Sequence, residues 1–112
     1  MTLRQALAGT SLTVILESGK TTLSRVVFIS GANTSTTDPA KLTLYAVPRG
    51  ETPSAKHIII PETELDEKDS IQWHGDLRLS PGDTIQVISD VLDQVAVMVS
   101  ARFDYVGGRR SG

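Results

Sequence analysis

His57 and His74 are the two imidazoles of the chain, and it contains no cysteine. Disulfides, thiolate metal sites and cysteine nucleophiles are therefore excluded. Two histidines fall short of the three or four ligands that a zinc site needs. The densest oxygen donors are Glu62, Glu64, Asp66, Glu67 and Asp69. Clustered carboxylates suit a hard cation such as calcium. Here they lack the D-x-D-x-D-G pattern with its glycine and closing glutamate, so they read as a solvated loop between strands. Asp90 and Asp93 flank a turn, where aspartate serves the backbone. No G-x-S-x-G elbow presents a nucleophile, and no glycine loop opens a helix for a phosphate. The chain reads as a non-enzyme, with no catalytic residue, no cofactor and no metal ligand assigned.

Other residues suggest binding. Tyr45 and Trp73 would form an aromatic platform for a sugar if one face carried both; a lone tryptophan is more often a core or interface residue. Asn33-Thr34-Ser35 matches the glycosylation pattern, which is short and common by chance. Arg109 and Arg110 sit between glycines in a polar tail. Acids and bases are scattered and the formal net charge is −2, so no basic face argues for nucleic acid. No apolar run approaches the roughly 20 residues of a membrane helix. The N-terminus lacks the apolar core of a secretion signal.

These residues hang on a β-rich framework. At 112 residues the chain suits one domain with one core. Leu77 and Leu79 alternate with polar neighbours, Pro81-Gly82-Asp83 breaks the ladder, and Thr84 to Ser89 resumes it. A Pro-Gly pair fits the central positions of a type II turn, with glycine at positive φ. Leu12, Val14 and Leu16 share one face of a first strand. Val26-Val27-Phe28-Ile29 is a continuous apolar run, as in a central strand buried on both sides. Leu42, Leu44 and Ala46 alternate with Thr43, Tyr45 and Val47. His57 to Ile60 is a short strand stopped by Pro61. Ile71 and Trp73 face one way. The last strand alternates from Val95 to Tyr105. The count of about seven or eight short strands between turn signals predicts an all-β fold, an antiparallel β-sandwich or jelly-roll-like barrel. Leu3, Ala6 and Leu7 have helical spacing, so residues 1–11 read as a short arm with at most one helical turn. Residues 12–106 form the sandwich, and 107–112 a flexible tail.

The order of segments resembles a group of small tailed-bacteriophage virion proteins. Their run is a hydrophobic strand, N-T-S, a V-T-L-Y type strand, L-x-x-G-D-T-I and a terminal strand. The corresponding residues are Asn33-Thr34-Ser35, Leu42-Thr43-Leu44-Tyr45, Leu79-Ser80-Pro81-Gly82-Asp83-Thr84-Ile85 and the valine-alternating end. The resemblance spans Leu12 to Val106; the added Gly107 to Gly112 departs from it. It implies a virion component, assembled in the host bacterial cytoplasm, without catalytic residues or cofactors. A capsid decoration or cement protein on the outer head is the favoured role. Its partners would be the major capsid protein or other virion proteins, and further copies of itself, with a trimer favoured. Nucleic acid and membrane are not expected partners. Leu3, Leu7, Tyr45 and Trp73 are the candidate contact residues. The alternatives are a head–tail completion or tail-associated protein, a carbohydrate-binding sandwich, and an enzyme on a jelly-roll scaffold.

The turn generates a prediction. Gly82→Val should lower stability by about 2 kcal/mol, because a β-branched residue is strained at positive φ. A urea melt that superimposes on the parent's would refute the turn assignment.

Overall fold

The structure is a computed structural model that describes residues 2–19 and 22–105; the predicted tail lies outside them. Eight strands follow in order: β1 (Thr2–Leu7), β2 (Thr13–Glu17), β3 (Thr22–Asn33), β4 (Ala40–Val47), β5 (Ile58–Leu65), β6 (Ser70–Leu79), β7 (Thr84–Ser89) and β8 (Val95–Tyr105). A single 3-10 turn, Ala55–His57, precedes β5. The first sheet has the order β1-β8-β3-β6 and the second β2-β7-β4-β5. All pairings are antiparallel. Every connection except β4–β5 crosses between sheets. This is the eight-stranded jelly roll. Among the described residues no helix is long and apolar enough to cross a membrane.

Alternation supplies the core. Val95, Val97, Val99 and Ala101 of β8 are buried with Val26 and Ile29 of β3. Across the interior they face Leu42 and Leu44 of β4 and Ile85 and Val87 of β7, also buried. Gly31 belongs to this contact, since a Cβ there would strike the Leu42 side chain of the other sheet. The glycine lets the two sheets approach.

Four local readings are corrected. Residues 2–7 are not an arm with a helical turn: they form β1, paired with β8 from Thr2↔Ala101 to Leu7↔Ala96. So short a helix is marginal in water, whereas β8 offers a complete ladder partner. In β2, the register shifts between Val14 and Leu16. Ile15 and Leu16 are both buried there, while Leu12 and Val14 are exposed. In β3, a similar shift between Val26 and Phe28 splits the apolar run. The strand is central, but only Val26 and Ile29 are buried; Val27 and Phe28 are half-exposed. Finally, β5 runs through Pro61 to Leu65, taking Glu62 and Glu64 into a strand. An edge strand tolerates a residue without an N–H, and the β4–β5 register shifts around it.

Polar side chains close both ends. At one end, Asp83 accepts from the Ser80 and Arg49 amides at 2.9 and 2.8 Å. Its carbonyl accepts from Ser18 N–H, and its own N–H bonds to the Ser80 carbonyl, closing the turn. Gly82 has φ +88°, as the type II geometry requires. At the other end, Asn33 is 2% exposed. Its Nδ2 lies 2.9, 3.0 and 3.1 Å from the carbonyls of Asp38, Leu65 and Asp66. Its Oδ1 accepts from Ser35 N–H and from Gln94 Nε2. One amide thus joins the connections after β3, β5 and β7. It leaves no free nitrogen for a glycan in the folded chain.

Asn33→Asp removes these donors and turns a buried carboxylate toward three carbonyls. Chemical denaturation should show a loss of roughly 3 kcal/mol or more; a loss below about 1 kcal/mol would deny Asn33 this role.

Candidate functional site

The jelly roll has two outer faces, and they differ. On the first sheet, cross-strand rows follow from the register. Leu7, Ala96, Ala32 and Ser70 form one row, and Gln5, Met98, Ser30 and Gln72 the next. Leu3, Ser100, Phe28 and His74 form the third. The middle strands carry small residues here, so the surface sinks into an apolar trough of about 520 Å³, lined in part by Leu7, Ala32, Ala96 and Met98. Leu7 lines it and Leu3 lies farther along the same face of β1, 49% and 55% exposed. Gln5 Nε2 donates to Met98 Sδ at 3.5 Å. Among the described residues β1 pairs with β8 alone, so its other edge offers unpaired backbone groups.

On the second sheet, Val14, Gln86, Tyr45 and Ile58 form a row across all four strands. Val14 and Ile58 are exposed, and Tyr45 is half-buried between them. Trp73 lies elsewhere. On β6 it pairs with the core residue Ile29 of β3 and packs half-buried against the core. Its ring lies over Gly75, where a Cβ would come within 2.9 Å. Tyr45 and Trp73 therefore share no face, and the two form no platform. Leu3 and Leu7 share the outer face of β1, two rows apart; Tyr45 and Trp73 are each separate from them.

The histidines are equally apart. His57 is buried in the β4–β5 connection. Its Nδ1 accepts from Ser54 N–H at 3.1 Å, which leaves Nε2–H to donate to Glu51 Oε1 at 3.0 Å. His74 is exposed on the first sheet, its ring 4.8 Å from that of Phe28. Among the described residues no three histidine or carboxylate side chains gather as metal ligands. The acidic run ends in a turn closed by Asp69 N–H on the Asp66 carbonyl. Asp90 serves the backbone, accepting from Lys41 N–H at 2.7 Å.

Near the far end of the first sheet, Arg25 grips Asp76 with two bonds of 3.0 and 2.9 Å. These bonds hold the Asp76 carboxyl below its ordinary range against partial desolvation, with help from the charges of Arg25 and Arg78. The His57 bond likewise lowers Glu51, opposed by desolvation and aided by Lys56. The trough has a legible signal in Leu3, Gln5 and Leu7 at period two, and in small residues at Ser30, Ala32 and Ala96. Their adjacency depends on strand order, which is not local.

No protein-family model matches this chain, and a search of curated proteins gives no match either.

The lowered Asp76 value has a defined sign. A depressed folded value stabilises above the unfolded carboxylate range and is lost as pH falls through the folded value. The melting-temperature advantage of the parent over Asp76→Asn should be present at neutral pH and vanish on acidification. An advantage that persists in acid would contradict the pairing.

Proposed function

We propose that the chain is a structural component of a tailed-phage virion, a decoration protein that binds the outer head surface and stabilises it. The observation that carries this reading is the trough on the first sheet, lined by Leu7 beside the open edge of β1, with Leu3 exposed on the same face. Leucines half-exposed in and beside an apolar depression mark a contact surface more than a free one. The jelly roll is an architecture found in capsid, lectin and cupin proteins alike, so fold alone does not choose among them. The separation of Tyr45 from Trp73 takes away the platform that favoured a carbohydrate module. The segment order that resembles small virion proteins supports the particle role, and the protein's closely packed interior suits a building block.

In this reading the outer face of the first sheet lies on the major capsid protein. The leucines supply apolar burial, worth roughly 1.5–3 kcal/mol for a side chain fully covered. The free edge of β1 supplies main-chain hydrogen bonds to an added strand. Neither contribution needs a cofactor.

The test is co-sedimentation with heads assembled from the major capsid protein of the phage that carries this chain. The parent should bind, and Leu7→Lys should weaken binding by about tenfold or more with an unchanged melting temperature. No binding by the parent would overturn the role. Binding indifferent to both Leu3→Lys and Leu7→Lys would move the contact off this face.

A further inference from the structure

The open edge of β1 has a direction that its pairing reveals. In an antiparallel ladder, residues alternate between those that exchange bonds with the strand opposite and those that turn N–H and C=O to the other side. The Ala8 N–H bonds to the Val95 carbonyl at 2.8 Å, one step beyond the Leu7↔Ala96 pair and in its register. Ala8 thus bonds toward β8, and so do Ala6 and Arg4 at period two. Leu3, Gln5 and Leu7 turn their backbone groups the other way, to the edge where, among the described residues, no strand meets them. Their side chains are exposed on the outer face. An unpaired edge is a template for a further strand, and proteins blunt such edges with prolines, bulges and charges. β1 has no proline and no register shift, and its one charge is Arg4.

We propose that β1 pairs with β1 of a second copy of this chain, antiparallel about a two-fold axis at Gln5. The occupant is argued from self-complementarity. In this register Leu3 lies opposite Leu7 of the second copy, Gln5 opposite Gln5, and Leu7 opposite Leu3. All the edge-facing residues are then used at once, and each pair exchanges both of its main-chain bonds. The exposed leucines become cross-strand pairs. Arg4 falls opposite Ala6, so no like charges meet. The neighbouring registers are worse. A shift of two residues one way sets Arg4 against Arg4, a repulsive pair. The same shift the other way leaves Leu3 without a partner on β1. A shift of one points the edge groups at residues already bonded to β8.

The contact is isologous and closes at two copies, where the resemblance to virion proteins implies a trimer. It joins the first sheets of both copies into one sheet, with the two troughs on the same side. Few residues meet on each side, against the roughly 20–30 of a standard stable interface, so the dimer is weak in dilute solution. The pairing stands without the virion reading, to which it supplies the strand added at β1.

Cysteine cross-linking of the full chain tests it cleanly, because the parent has no cysteine. Directly opposed residues of a bonded pair have Cα atoms about 5.5 Å apart, within disulfide range. Gln5→Cys should therefore oxidise to a disulfide-linked dimer about tenfold or more faster than Leu3→Cys, whose own copies stand four residues, or about 13 Å, out of register. An equimolar mixture of Leu3→Cys and Leu7→Cys should link one of each. Gln5→Pro should leave melting unchanged, since the lost N–H faces away from β8, and should abolish the concentration-dependent rise of the parent's mass above 12.0 kDa in sedimentation. Gln5→Cys linking no faster than Leu3→Cys overturns the proposal. So does a parent whose mass rises equally with Gln5→Pro. No heads enter these measurements, so failure here is separate from failure to co-sediment with heads.

Discussion

The side-chain amide of Asn33 is the interaction on which the rest of the structure depends. A jelly roll sends its chain from one sheet to the other at almost every connection, so the sheets must be clamped where the loops gather. Asn33 bonds to the carbonyls of Asp38, Leu65 and Asp66 and receives Ser35 and Gln94. Those carbonyls lie in the connection after β3, at the last residue of β5 and just beyond it, and buried polar groups are costly when unpartnered. Asp83 does similar work at the other end through Ser80, Arg49 and Ser18. Between the two clamps, the packing of valine and leucine needs no polar help. Among the described residues no buried side-chain nitrogen or oxygen lacks a partner.

Once the inner faces are committed to the core, function is left to the outer faces, the edges and the ends. The outer face of the first sheet combines leucines, small residues and an open edge. The outer face of the second sheet is flatter in chemistry, with Tyr45 and Gln86 between two exposed aliphatics. The use proposed for the first sheet's outer face is contact, not reaction.

Much of this was legible in the residues. Pro81-Gly82 announces its turn because only glycine takes φ +88° easily. The β8 alternation announces its buried face because one side must be apolar and the other need not be. The misreadings share a cause. Leu3 and Leu7 fit both a helix face and one face of a strand, and only the presence of β8 decides between them. The irregularities near Ile15 and Val27 change which residues face inward, and no local signal marks them. Pro61 reads as a stop unless the strand is known to be an edge. The placing of Tyr45 and Trp73 on different sheets depends on strand order. That order arises from contacts distant in sequence.

The most direct test of the account is amide hydrogen exchange, with and without heads of the proposed partner, a major capsid protein. The account predicts new protection in Thr2–Leu7 of β1, the edge beside the trough, with β2 and β5 of the second sheet unchanged. Protection confined to the segments around Val14 and Ile58, with β1 exchanging as in the free chain, would contradict it.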